Sequence, residues 1–405
     1  MGLEPHAKQA EVVKTNTWRT LAMLSMAFNT TRSIIIERGA ATRLAPQVLN
    51  LGASSVLLVT DAGVVAAGLL DPVLSGFAAA GVPVRVFAEV LADPPESVIL
   101  AAVEAGRECG ADCVVGFGGG SSLDAAKLAA LLLRGGEQLA QIYGINQSKG
   151  ARLPLILVPT TAGTGSEVTA VSVVTTGAGE KNVVISPTLL PDLAVLDAEL
   201  TLGLPAPITA ATGIDAMVHA VEAYTSRHLK NPLSDCLAKD ALRLLCGSLY
   251  QACHEGSDLV ARENMLLGAC LAGMAFANSP VAAVHALAYP IGARFHVPHG
   301  VSNALVLGAV MRFNLEAAAP LYAQLAEIVL PNVTGSERQR ARALADHLGG
   351  LAGELKLPTR LRDVGIGEGD IQALAEDAMK QARLLGNNPR PVSLADVLAI
   401  YREVL

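Results

Sequence analysis

Short apolar runs punctuated by turns fill the first half of the chain, and long helical patterns fill the second. SIIIERG at 33–39 reads as a strand entering a turn, and SVLLVTD at 55–61 as a buried strand. An Ala/Leu/Val helix follows to about residue 79, then a strand VPVRVF at 82–87. DPP at 93–95 forces a turn, because the residue before each proline disfavours the helical region. A helix covers 96–109, and DCVVGFGGG at 112–120 is a strand ending in glycines. SLDAAKLAALLL then opens a helix, and PLILVPT at 154–160 is a further strand. Strands alternating with helices predict βαβ units and a mostly parallel sheet. From about residue 205 the pattern is helical, over 207–225, 232–253 and 258–278 and in Ala/Leu-rich segments to the end, and strand candidates are scarce. The texture changes at GLPAP, 203–207. The expectation is an N-terminal extension at 1–30, an α/β domain at 31–204 and an all-α domain at 205–405. No internal repeat or low-complexity segment is visible.

Composition narrows this picture. A chain of 405 residues favours two domains over one. With 51% hydrophobic and 17% charged residues it is not a disordered chain. Aromatics are only 3%, so the core must be built from Ala, Leu and Val. A mean hydropathy of +0.43 raises the membrane question. No apolar run reaches 18 uninterrupted residues, so a membrane is not an expected partner. The net charge of −7 and the lack of a Lys/Arg cluster argue against nucleic acid. The six cysteines show no CxxC spacing, as expected of free thiols in a reducing cytoplasm. LAMLSMAF at 21–28, preceded by Lys14 and Arg19, loosely resembles a signal peptide. Glu4 and Glu11 sit in the would-be basic region, the run is short and no small-residue cleavage site follows. Residues 1–30 therefore read as an extension with helical potential, suited to docking on a partner subunit.

Two sets of residues carry chemistry. In VVGFGGGSSLDAAK at 114–127 a strand runs through glycines into a helix. Glycines let the backbone approach a pyrophosphate, and the helix N-terminus offers free N–H groups and partial positive charge. The spacing is not GxGxxG, and a plain strand–turn–helix junction also uses glycines. Asp61, at the end of its strand, suits a ribose hydroxyl and would repel a 2′-phosphate, although alone it reads better as a helix cap. PTTAGTGSEVT at 159–169 is dense in hydroxyls and glycines after a strand, and Lys181 lies beyond it. In the second half, Asp215 and His219 of GIDAMVHAVEAY are four apart on one helix face. His285 sits in an apolar stretch and wants a partner. His299 follows 14 residues later, with Pro290 and Pro298 to bend the connection, and His296 competes with it. One carboxylate and three imidazoles suit Fe²⁺ or Zn²⁺.

In order and spacing, GGGSSLDAAK, PTTAGTGSE, GIDAMVHAVEAY and HALAYPIGARFHVPHG resemble the iron-containing (group III) alcohol dehydrogenase family, from about residue 30 to the C-terminus. The resemblance implies a dehydroquinate-synthase-like fold, with an α/β dinucleotide-binding domain, a helical metal and substrate domain and the active site in the cleft. It implies metal ligands Asp215, His219, His285 and His299. It implies cofactor contacts at Asp61, Gly119, Gly120, Ser121, Asp124, Thr160, Thr161, Thr164 and Lys181. The expected activity is reversible hydride transfer between NAD, or less readily NADP, and a small alcohol with its aldehyde or ketone. Fe²⁺ is favoured over Zn²⁺, in a cytoplasmic homodimer or larger homo-oligomer. Many members carry a second histidine four residues after the first of this segment, with a proton-handling role. Here Tyr289 stands there, either relaying a proton or shaping the pocket. The alternatives are a glycerol-type dehydrogenase or other relative on the same scaffold, and a non-catalytic nucleotide-binding homologue.

Overall fold

The computed structural model describes residues 26–177 and 180–405. Most of the N-terminal extension, and with it the expected helix, lies outside the described residues. Met26–Thr30 form no helix or strand, and Asn29 exchanges backbone hydrogen bonds with the Asn278 side chain at 2.7 and 2.9 Å.

Nine strands are described: β1 (Ile34–Ile36), β2 (Val56–Val59), β3 (Val84–Phe87), β4 (Cys113–Gly118), β5 (Gly144–Ile145), β6 (Leu155–Pro159), β7 (Val171–Thr176), β8 (Glu180–Ile185) and β9 (Leu193–Leu196). Six form a parallel sheet in the order β1-β9-β6-β4-β2-β3. Strands β2, β4, β6 and β9 are buried along their whole length, as expected for a parallel sheet covered on both faces. The period of two is visible in the packing. Leu57, Val59, Val114, Leu155 and Leu157 join one core cluster. Their neighbours Val56, Leu58, Cys113, Val115, Ile156 and Val158 join the other. Helices Glu96–Glu108 and Gly120–Gly135 supply the first cluster, and Leu44–Asn50 and Asp71–Ala79 the second.

The chain leaves β2 for β3 on one side, then crosses back to place β4 on the other. The switch therefore falls between β2 and β4, where a crevice opens at the carboxyl ends of a parallel sheet. Asp61 and Gly118–Gly120 lie at those two ends.

The helix expected from 62 to about 79 is two helices, Ala62–Ala66 and Asp71–Ala79. Gly68 breaks it with φ 70°, and Pro72 in the first turn of the second piece suits a fresh start. A second sheet, β5-β8-β7, with β7 and β8 antiparallel, goes beyond the strands read from the sequence, as does β9. From residue 205 the described residues contain no strand. Helices Ala206–Thr225, Pro232–His254, Leu259–Asn278, Ala283–Phe295, His299–Val329 and Glu337–Glu354 share one Ala/Leu/Val-rich core. Leu259–Asn278 and His299–Val329 are apolar and long enough to span a bilayer, but both bury their apolar faces in this core.

Candidate functional site

A cavity of about 240 Å³ lies between the crevice and the helical core. Ten sequence-expected residues line it: Gly120, Ser121, Asp124, Thr164, Lys181, Asp215, His219, His285, Tyr289 and His299. Asp61, Gly119, Thr160 and Thr161 do not.

The helical wall is built first by Ala206–Thr225. Asp215, His219 and Glu222 stand at i, i+4 and i+7 on one face of it, and all three are buried. Ala283–Phe295 contributes His285 and Tyr289. Pro290 stays within that helix, and the chain bends only at His296, whose φ is 55°. His296 itself is exposed and lines no part of the cavity. His299 opens the next helix. The bend turns two histidines 14 residues apart toward one point. Asp215 Oδ1 then lies 3.9 Å from His219 Nε2, 3.9 Å from His285 Nε2 and 3.6 Å from His299 Nε2. Ligand atoms of Asp215, His285 and His299 all fall within 4.8 Å of one another. His219 stands slightly apart, its ring stacked between Phe276 and His285 at centroid distances of 4.3 and 4.8 Å.

Burial pushes the His219 imidazole down to about 3, overcoming the attraction of Asp215, and lowers His299 for the same reason. Both rings are neutral near pH 7, the form that offers a lone pair to a cation. Burial alone would raise the Asp215 carboxyl, but the three imidazoles and the Asn303 amide hold it below its ordinary range. A buried carboxylate facing three imidazoles is a donor set that fits a divalent transition metal.

Two residues of this wall escaped the sequence reading. Glu222 accepts from the backbone N–H of Ala282 (2.9 Å) and of Val284 (2.7 Å), and from His285 Nδ1 (2.7 Å). It caps the helix that carries His285 and also fixes that ring's tautomer, leaving Nε2 free toward Asp215. The signal was present in the spacing, since Glu222 completes the Asp215–His219 stripe. Asn303, one turn after His299, donates to Asp215 Oδ1 at 2.6 Å.

The opposite wall is largely backbone and short side chains. Gly119 precedes the helix Gly120–Gly135 with no side-chain cap, so its first N–H groups remain available. A Cβ on Gly120 would meet Thr164 Cγ2 at 2.7 Å, so glycine is required there by the loop lying against it. Asp61 caps the helix after β2 through Val64 N–H (3.0 Å) and accepts from Ser122 Oγ (3.1 Å), which links the two strand ends at the switch. Asp124 accepts from Ser166 Oγ (2.6 Å) and Val173 N–H (2.9 Å). The fully buried Lys127 donates to Ser166 Oγ (2.7 Å) and the Val171 carbonyl (2.8 Å). This network ties the glycine turn, the 160–169 loop and β7 together. Lys181 pairs with Asp93 at 2.7 Å and donates to Thr175 Oγ1 at 3.0 Å. Phe276, Val281, Tyr289 and Val297 give the rest of the cavity an apolar lining.

Comparison with known proteins agrees with this layout along the chain. Residues 31–198 match the model of the iron-containing alcohol dehydrogenases, and residues 209–405 the C-terminal model of the Fe-containing alcohol dehydrogenase family. The chain is 42% identical over 369 residues to long-chain-alcohol dehydrogenase 1 of Geobacillus thermodenitrificans, covering 90% of this chain and 92% of that one. It is 32% identical over 373 residues to the NAD-dependent methanol dehydrogenase of Bacillus methanolicus, covering 92% and 97%. The crystal structure of a 1,3-propanediol oxidoreductase superposes with a TM-score of 0.91 at 35% identity, covering 94% of this chain and all of that one.

Proposed function

The chain belongs to the iron-containing alcohol dehydrogenase family, and we propose that Asp215, His219, His285 and His299 hold its divalent metal, iron in preference to zinc. It is a metal-dependent, NAD-linked oxidoreductase that moves hydride reversibly between the nicotinamide and an alcohol or its carbonyl product. The observation that carries the metal assignment is Asp215 Oδ1 facing three imidazole Nε2 atoms, each within 4 Å, at one end of a shared cavity.

When bound, the metal supplies Lewis acidity toward an alcohol or carbonyl oxygen. The rest is the work of the chain. Glu222 keeps His285 in the donor-ready tautomer, and the buried wall excludes water. Gly120 and Ser121, at the helix N-terminus, receive the dinucleotide phosphates, with Gly119 shaping the turn before them. Thr164 and Lys181 close over the sugar, while Thr160, Thr161 and Asp124 hold the loop in place. Asp61, at the switch, disfavours a 2′-phosphate and so favours NAD.

Lys181 is the single lysine or arginine among the described lining residues, and Asp93 neutralises it. Phe276, Val281, Tyr289 and Val297 line the cavity around the histidines, so the substrate is an uncharged alcohol and its aldehyde or ketone. Tyr289 shapes this wall, its ring 5.8 Å from that of His299. The six unpaired cysteines suit the cytoplasm. The edge strand β1, with Ile36 56% exposed, suits self-association into a homodimer or larger assembly. We place the domain boundary between the last strand of the sheet and the helix Ala206–Thr225, near residue 204.

Anaerobic reconstitution with Fe²⁺ or Zn²⁺, followed by a screen at 340 nm with NADH or NADPH and a panel of aldehydes and ketones, tests this reading. The expected result is metal-dependent oxidation, faster with Fe²⁺ and with NADH. Tight cofactor binding without turnover under any metal would favour a non-catalytic homologue.

A further inference from the structure

Asn303 is fully buried, one helical turn beyond His299. Its amide nitrogen lies 2.6 Å from Asp215 Oδ1, 3.2 Å from His299 Nε2 and 3.4 Å from His285 Nε2. Only the nitrogen can face the carboxylate, since the reversed amide would set two oxygens against each other at the shortest of those distances. The carbonyl oxygen Oδ1 is buried without a hydrogen-bond partner. Leaving such an acceptor unpaired is unfavourable, and a leucine of similar volume would fill the same space without it. Packing therefore does not explain the amide. What it touches does.

Asp215 Oδ1 is the same oxygen that faces the three imidazoles. Among the described residues, Asn303 is the only side chain that donates to that carboxylate. Without this hydrogen bond the carboxylate is free to rotate about its terminal torsion, which has a broad and shallow profile. With it, one oxygen stays turned toward the histidines.

We propose that Asn303 is a positioning residue of the metal site, whose amide N–H locks Asp215 in the rotamer that presents a single oxygen to the cation. The proposal rests on the reading that Asp215 and the three histidines hold a divalent metal. Partners of this kind, one shell removed from a metal, are worth about 10–100-fold in affinity.

The test is a titration of the metal-free full-length protein with Co²⁺ and Zn²⁺ against a chromophoric chelator, in the wild type, Asn303→Leu, Asn303→Asp and Asp215→Ala. Asn303→Leu keeps the volume and removes the donor. Asn303→Asp adds a negative charge beside the dication, so its tighter or equal binding reads charge and is used only as a control. Asn303→Leu is expected to bind about 10–100-fold more weakly. The visible bands of bound Co²⁺ should change as the carboxylate rotates, while NADH fluorescence titration stays at the wild-type value. Asn303→Leu binding as tightly as wild type overturns the proposal. Should Asn303→Leu not fold, Asn303→Ala, which removes the donor without adding charge, carries the test, and wild-type affinity in it overturns the proposal. Asp215→Ala with undiminished affinity would instead overturn the metal assignment itself.

Discussion

Asp215 and His219 reach the cavity from one face of a single helix, with Glu222 behind them on His285, whereas Gly120, Thr164 and Lys181 reach it from three separate segments of the α/β half. The helical half presents long side chains held by other side chains, such as His285 on Glu222 and Asp215 on Asn303. The α/β half presents backbone at a helix start, with glycines where a side chain would collide. Metal chemistry needs specific donor atoms, so the helical half is sensitive to what is removed. Phosphate binding needs N–H groups and room, so the α/β half is sensitive to what is added.

The largest effect should come from removing a donor. His285→Ala takes away one imidazole and leaves Glu222 buried with one partner fewer. Lewis-acid assistance is worth several kcal/mol, so turnover is expected to fall by about three orders of magnitude. NADH affinity, read by fluorescence, should remain near wild type. Near-full activity in this variant would break the comparison at its stronger end. Adding atoms on the other side should give the converse. Gly120→Val places its Cβ within 2.7 Å of Thr164 Cγ2. Overpacking of about 1–3 kcal/mol predicts a loss of NADH affinity of roughly 5- to 150-fold, with metal content by mass spectrometry unchanged. A loss of metal alongside NADH would mean that the two walls are not separable.

The same contrast explains what was legible in the sequence. Helix faces are readable because spacing encodes neighbourhood, and Asp215 with His219 showed it directly. Glu222 stands on the same face, but nothing local shows that it meets the start of another helix. Asn303 was hidden because its partner lies 88 positions away. In the α/β half, β2, β4 and β6 were plain from their apolar runs. The β7–β8 pair was not, because in Val171–Thr176 the buried face carries Ser172 while Val171 and Val173 are only half-buried, so its apolar positions are out of phase with its burial. Asp93 joins Lys181 only through that missed hairpin. Hydroxyls in the 160–169 loop were read as ligand contacts, yet Ser166 serves Asp124 and Lys127, and Gly165 lies against Gly273 of the helical half. Part of that loop is composed for packing between the halves.

Glu167, in the same loop, belongs to the seam and gives the smallest effect. It is 2% exposed, its backbone carbonyl accepts from Thr31 Oγ1, and its carboxyl lies close enough to Cys270 of the helical half to raise that thiol further. Burial pushes the Glu167 carboxyl up to about 7, and Lys127 only partly offsets this. Between its ordinary value of 4.5 and about 7, the folded protein therefore holds a proton that the unfolded chain has released. The stability linked to that proton is full below the lower value and is lost as pH rises through the upper one. Glu167→Gln keeps the shape and never ionises. The variant and the wild type should melt together at pH 4. At pH 8 the variant should be the more stable, by on the order of 3 kcal/mol. A gap of the same size at both pH values would mean that the seam is held by the contacts of Glu167 and not by its protonation. A gap that opens only on the alkaline side would make the seam a pH-dependent element distinct from both walls of the cavity.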